Sequence, residues 1–203
     1  MRLPSSFDQG FRAVLGRAPS SYERGTFSKY LDLLLKWNSI HRLVGSSDPS
    51  WIVEHLFLDS LLFVGLLPHE VATVLDFGAG AGLPGIPIAI VRPEAEVTLL
   101  EARRRPASFL ATAIRELGLT GARVLASRAE EIVAGPATLF DAVVMRCAGR
   151  LDKTFPVAAQ LVKKGGVVVA AGPPQPVPLK MGRWVEIPGI QKGSTRRFAV
   201  LSR

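Results

Sequence analysis

The residues of this chain that could do chemistry begin between Thr73 and Pro87, in TVLDFGAGAGLPGIP. Val74 and Leu75 read as a buried strand, Asp76 closes it, and Gly78, Ala79, Gly80, Ala81 and Gly82 form a tight loop. An apolar stretch from Pro84 to Val91 then suits a helix, with Pro84 tolerated in its first turn. Strand, glycine loop and helix in that order set backbone N–H groups beside a ligand with nothing bulky in the way. The same pattern also makes a plain strand-to-helix connection, so a second anchor is needed. Glu101 supplies it, 25 residues beyond Asp76 at the end of the next apolar run, TLLE. A carboxylate there can accept hydrogen bonds from the 2′- and 3′-hydroxyls of a ribose, although an acid ending a strand can also be a solvated turn residue. Ser127-Arg128-Ala129-Glu130 follows the third strand, where an adenine edge would be read, and Glu130 could instead cap the helix that follows. Arg146 ends the buried run AVVMR at the same rim, and a guanidinium there needs an anion or an acceptor. It is expected to contact a ligand or substrate, the alternative being a salt bridge to the N-terminal helices.

The dinucleotide fingerprint G-x-G-x-x-G is not met, because Leu83 stands where its third glycine belongs. The loop has D-x-G-x-G-x-G instead, which resembles the pattern of methyltransferases that bind S-adenosylmethionine.

Two kinds of element must position these residues. Up to about residue 70 the pattern is helical. Phe27, Tyr30, Leu31, Leu34 and Trp37 form one apolar stripe between Tyr22 and Trp37, with Ser20 or Ser21 as cap. A shorter helix covers Phe7 to Leu15, a loop covers Asn38 to Pro49, and Pro49 to Leu67 reads as a third helix. From Val71 onward strands and helices alternate, which predicts a parallel α/β sheet. Strands are expected at Thr73–Phe77, Glu96–Leu100, Ala122–Ala126, Phe140–Arg146 and Gly166–Ala171. Helices are expected at Arg104–Leu117, Ala129–Val133 and Asp152–Val162. GPPQPVP at 172–178 can be neither helix nor central strand, and Trp184–Ile187 with Phe198–Leu201 would finish the sheet as an antiparallel pair. The expected division is a helical cap, 1–70, and an α/β domain, 71–203.

Length and composition allow one domain with a proper core. No uninterrupted apolar run reaches the roughly 18 residues of a membrane span, and MRLPSSFDQGF has no hydrophobic signal core, so a cytoplasmic protein without a membrane partner is expected. The single cysteine, Cys147, excludes an internal disulfide framework, offers no metal cluster, and reads as a small residue near the core. Nearly all of the net charge of +8 sits in residues 160–203, where eight of the 25 Lys and Arg face Glu186 alone. The cluster is Lys163, Lys164, Lys180, Arg183, Lys192, Arg196, Arg197 and Arg203, with Arg103, Arg104 and Arg105 as additions. It is either a solvated face or a phosphate-binding surface, whose affinity would fall with salt by a log–log slope of roughly 0.7 to 0.9 per contact.

Taken together, VLDFGAGAGLPGIPIAIVRPE, LLEARRRPASFL, SRAEE and MRCAG resemble the bacterial 16S ribosomal RNA guanine-N7 methyltransferases of the glucose-inhibited-division type. LLKWNSIHRLVGSSDP and EHLFLDSLL are similar to that family's W-N…N-L-T and His…Asp-Ser signatures, and RRFAVL extends the match weakly. The G-L-P-G-I-P continuation is more specific than the loop before it. The resemblance implies a Rossmann-like class I S-adenosylmethionine-dependent methyltransferase sheet behind the helical cap. It places cofactor contacts on Gly78, Leu83, Glu101, Ala129, Glu130 and Arg146, with Asp76, Gly80 and Gly82 completing the loop. Its implied substrate is one guanine of 16S ribosomal RNA near the decoding region, presented as RNA or as a 30S intermediate, to a protein expected to be a monomer without metal. The chain departs from the family pattern at Arg42 and Val44, which replace Asn and Thr. It departs again at Ala171, where a lysine is usual, and at Met145-Arg146-Cys147 in place of S-R-A.

Guanine N7 has a free lone pair and no proton to lose, so methylation there needs no general base, and no catalytic residue is assigned. His41, His55 and His69 read as structural, although His55 matches a signature position. Positioning would supply most of the catalysis. Rival readings are a methyltransferase for another RNA, a small molecule or a protein, a non-catalytic RNA-binding relative, and a nicotinamide-dependent dehydrogenase, which Leu83 disfavours.

Overall fold

The computed structural model describes residues 2–135, 138–146, 150–173, 175 and 177–203. Cys147 and the two residues after it in MRCAG lie outside the described residues. Seven strands form one sheet: β1 Thr73–Phe77, β2 Glu96–Leu100, β3 Ala122–Leu125, β4 Phe140–Met145, β5 Val162–Ala171, β6 Arg183–Pro188 and β7 Thr195–Ser202. Their order is β3-β2-β1-β4-β5-β7-β6. The first five are parallel, and β7 is antiparallel to both β5 and β6. The chain therefore turns back between β1 and β4, and crevices for ligands form at the carboxyl end of such a switch.

Alternation along the strands sorts the core into two layers. Val74, Val97, Leu99, Val144 and Val169 face α5 Gly85–Val91 and α6 Arg104–Leu117. Leu75, Leu100, Val143, Met145 and Val168 face the other side, under α7 Ala129–Ala134 and α8 Leu151–Gln160. The N-terminal helices, α1 Ser6–Leu15 and α2 Ser21–His41, share the first of these cores, and α2 packs on both α5 and α6. The change of sequence pattern near residue 70 is thus crossed by a continuous apolar interior.

Ser20 caps α2 in a reciprocal box: its hydroxyl accepts from the Glu23 amide at 3.1 Å, and Glu23 accepts from the Ser20 amide at 2.7 Å. The helix runs to His41, beyond the expected end at Trp37, because Asn38 organises the next loop from within the helix. Its amide reaches Ser46 O at 3.0 Å, and its carbonyl accepts from Val44 N at 2.8 Å.

The expected helix from Pro49 to Leu67 is helical but not uniform. It comprises α3 Pro49–Ile52, a π-helical stretch Val53–Leu58, α4 Asp59–Leu61 and a 3-10 stretch Leu62–Leu66. By length and composition Pro49–Leu66 could cross a membrane, yet its Ile52, Phe57, Leu61 and Phe63 are buried in the protein core. β5 starts at Val162 rather than Gly166, since Val162 pairs with Phe140 before a bulge brings Val167 opposite Ala142.

Candidate functional site

The loop after β1 bends through three glycines at positive φ: Gly78 at 73°, Gly80 at 56° and Gly82 at 87°. Such angles strain any residue with a Cβ. Ala79 N anchors the loop to Leu100 O on β2 at 2.9 Å, and Gly82 N closes back on Ala79 O at 2.7 Å. Leu83 is buried, with its amide directed to Ala79 O at 3.2 Å. Helix α5 starts at Gly85, one residue later than expected, with Pro84 just before it.

Asp76, expected with the glycine loop, bonds to the start of α5. It lies on the α5 side of β1, fully buried, and its Oδ2 accepts from the Gly85 amide at 2.8 Å. Its role on this geometry is to hold the start of α5 under the loop. Burial pushes its carboxyl up to about 7, against the opposing pull of the Gly85 N–H. Oδ1 is buried without a hydrogen-bond partner among the described residues.

Glu101 follows β2 and is 5 % exposed. Its Oε2 accepts from Gly80 N at 2.9 Å, while Oε1 accepts from the Arg103 amide at 2.9 Å and from Arg103 Nε at 3.1 Å. Burial raises its pKa, but the Arg103 side chain and amide outweigh this and hold the carboxyl below its ordinary range. Loop and acid expected from their spacing are therefore in direct contact. Ala129 and Glu130 open α7 at the neighbouring strand end, with Ala129 buried and Glu130 exposed. The cap of α7 comes from Glu131, which accepts from Arg128 N at 3.2 Å, not from Glu130.

Arg146 makes the contact with the N-terminal helices that was its alternative role, and it also lines the cleft at the ends of β4 and β5. Its guanidinium donates to His55 O at 2.5 Å, Leu56 O at 3.2 Å and Ser60 Oγ at 3.3 Å, and it pairs with Asp59 at 3.3 Å. The π-helical stretch supplies two of these carbonyls. Asp59 also pairs with Arg196 of β7 at 2.7 Å, so a buried carboxylate joins two arginines from different strands. Beside this cluster, at the carboxyl ends of β4 and β5, a cleft of about 720 Å³ is lined by Met145, Arg146, Arg150, Asp152, Ala171 and Arg196, among others.

The loop and Glu101 fit a nucleoside. The loop turns at glycines, and a buried carboxylate stands against it at the adjacent strand end. Compared with known families, residues 23–172 match the model described as GidB: rRNA small subunit methyltransferase G. The chain belongs to this family. A ribosomal RNA small subunit methyltransferase G from Neisseria meningitidis serogroup A is 34% identical over 94% of both chains. One from Sorangium cellulosum is 37% identical over 82% of this chain and 72% of its own. Among solved structures, a SAM dependent methyltransferase from Aquifex aeolicus superposes with a TM-score of 0.55 at 19% identity, covering 83% of this chain and 98% of its own, a likeness of fold.

Within this GidB-family chain, two site features escape a reading of the sequence. Tyr30 sits in the apolar stripe of α2, yet its hydroxyl donates to Ala81 O in the glycine loop at 2.5 Å while its ring stacks on Phe57. Burial and the nearby Asp76 carboxylate push that phenol well above its ordinary pKa. Nothing local to Tyr30 marks a partner 51 residues away. The second feature is Asp59, whose two arginine partners come from β4 and β7.

The basic C-terminal cluster does not form one surface. β5 and β7 are antiparallel, so Lys163, Lys164 and Arg203 lie at the rim opposite the glycine loop. Lys163 pairs with Asp141 at 2.7 Å, and Arg203 donates to Ala159 O and Val162 O. Arg197 pairs with Glu186, and Arg196 is held by Asp59. Lys180, Arg183 and Lys192 are exposed, and of these Lys192 lies in the β6–β7 turn at the loop side of the sheet.

Proposed function

We propose that this protein transfers a methyl group from S-adenosylmethionine to N7 of a guanine in 16S ribosomal RNA. The observation that carries the cofactor half is Glu101, set against Gly80 N at the end of β2 and ready to accept ribose hydroxyls. Gly78, Gly80 and Gly82 give the backbone its close approach, and we assign the buried Leu83 and Ala129 to the walls of the site and the exposed Glu130, at the start of α7, to its rim. Asp76 acts through Gly85 and not on the ligand. Arg103, which now covers Glu101, would swing away as ribose takes its place. When bound, S-adenosylmethionine supplies a methyl group on a positively charged sulfur.

The guanine half rests on family membership and on the cleft at the carboxyl ends of β4 and β5. N7 attacks with its own lone pair, the bond to sulfur breaks with its electrons left on sulfur, and the purine takes up the positive charge. No proton moves, which suits a cleft where the one lining carboxylate among the described residues, Asp152, is already held by Arg150 at 2.8 Å. What the chain must do is hold N7, carbon and sulfur in line, worth up to several kcal/mol. N7 in an A-form helix faces a deep, narrow groove, so the target base must be splayed out. We place the reaction in the cytoplasm, on RNA or a 30S intermediate, with the protein as a monomer.

The test is transfer from methyl-labelled S-adenosylmethionine to 30S particles, followed by digestion to nucleosides. Label is expected in 7-methylguanosine. Glu101→Ala should weaken cofactor binding about 10- to 100-fold, as loss of charged hydrogen bonds of roughly 1.5–3 kcal/mol requires. Cofactor binding without transfer to RNA would retain the first half and remove the second.

A further inference from the structure

On the side of the glycine loop away from the large cleft, a groove of about 290 Å³ runs beside Gly80. Its walls are His41 and Arg42 at the end of α2, and Arg103, Arg104 and Arg105 at the start of α6. Four guanidiniums from two helices thus converge. Glu101 takes Arg103, and among the described residues no ion pair joins Arg42, Arg104 or Arg105 to an acid.

Each of these arginines is placed against the stability of the fold. Arg104 and Arg105 stand in the first turn of α6, the positive end of the helix dipole, and that turn has no acid and no side-chain cap. Arg42 closes α2 with φ 47° and ψ 57°, and it is the one described residue other than glycine at positive φ. That position favours glycine or asparagine. Like charges, a dipole and a strained backbone all oppose this arrangement in the free protein, and a row of phosphates reverses the electrostatic part of that balance.

We propose that the groove binds consecutive phosphates of the RNA substrate, so that the strand crosses α2 and α6 beside the glycine loop before its target base enters the cleft at β4 and β5. The inference rests on the RNA substrate proposed above. Guanidinium forks match phosphate oxygens in pairs, and phosphate contacts fix position without reading sequence.

The experiment compares wild type with Arg42→Gly, with the double variant Arg104→Gln/Arg105→Gln, and with Lys164→Gln at the opposite rim. Affinity for a labelled 16S RNA fragment is measured by fluorescence anisotropy across a potassium chloride series. Thermal unfolding and calorimetric binding of S-adenosylmethionine are measured alongside. Arg42→Gly should raise Tm by about 2–4 °C, since a strained backbone is relieved, while RNA binding weakens several-fold. A more stable protein that binds RNA less well cannot be explained by misfolding. The salt slope should fall by roughly 0.7 to 0.9 for each phosphate contact removed, with cofactor affinity unchanged. Slopes equal to wild type in both arginine variants overturn the groove, as does an equal loss in Lys164→Gln, which would reduce the effect to net charge. A wild type that binds no 16S RNA at all removes the substrate reading itself.

Discussion

Asp76 and Gly85 show how closely the site is fitted at the scale of single residues. A Cβ on Gly85 would lie 2.3 Å from Leu99 Cδ2 and 2.7 Å from Asp76 Oδ2, both on the sheet beneath it. Gly85→Ala should therefore cost about 1–3 kcal/mol, read as a fall in Tm, by forcing α5 off β1 and β2. The G-L-P-G-I-P motif was visible in the sequence, but its reason was not, because Leu99 belongs to another strand. Asp76 carries a pH signature. Folding raises its pKa from the usual 3.8 to about 7, so between those values the folded chain binds the proton that the unfolded chain has lost. Its contribution to stability is then greatest below pH 4 and falls as pH rises through 7. Relative to Asp76→Asn, wild type should lose roughly 2–4 kcal/mol in urea unfolding between pH 4.5 and 7.5. Asp141, lowered to about 2 by Lys163 and Thr73 against the effect of burial, acts in the opposite sense. What it contributes is present above pH 4 and is lost toward pH 2, outside this window. A wild-type–variant difference constant with pH would show that Asp76 is ionised in the fold.

At the scale of elements, the sequence located every strand and most helices, because apolar period and glycine–proline punctuation are local. What it could not supply was the hydrogen-bond pattern inside an element or a partner reached across the fold. Pro49–Leu67 has the apolar spacing of a helix, and only the packed structure turns Val53–Leu58 into a π-helical stretch that offers His55 and Leu56 carbonyls to Arg146. Arg146 was legible as a charge needing an acceptor, and the acceptor lay some 90 residues earlier. The same holds for α2, which reaches the glycine loop through one hydroxyl. Tyr30→Phe keeps the stack on Phe57 and removes the donor from the buried Ala81 carbonyl. The expected stability loss is about 1–3 kcal/mol, the cost of an unsatisfied buried acceptor. A purely structural role would stop there. A positioning role predicts faster hydrogen exchange at Gly78–Gly82 and a several-fold higher KM for S-adenosylmethionine, with kcat at saturation retained. Unchanged exchange and KM would confine Tyr30 to packing.

For the molecule as a whole, the division near residue 70 is one of sequence grammar, and the hydrophobic interior takes no notice of it. Phe27, Tyr30, Leu34 and Phe57 belong to the same buried cluster as Val74, Ile86, Phe109 and Phe198. Phe63 meets the Phe198 ring edge-on at 4.9 Å, and Trp37 meets Phe109 at 5.5 Å, so the N-terminal helices close both the β7 side of the sheet and α6. A parallel sheet must be covered on both faces, and residues 71–203 alone would expose the outer surfaces of α5 and α6 to water. Each large side chain uncovered forfeits about 1.5–3 kcal/mol, and a domain holds only about 5–15 kcal/mol in total. The fragment 71–203 is therefore expected to lack a cooperative thermal transition and to bind a hydrophobic dye, whereas the full chain unfolds in one step. A sharp, dye-free transition in the fragment would mean that the sheet carries its own core and that the helices are an added layer. In the expected case the Tyr30–Ala81 and Arg146–His55 contacts are internal to one folding unit. The cofactor loop then cannot be ordered before the N-terminal helices have docked.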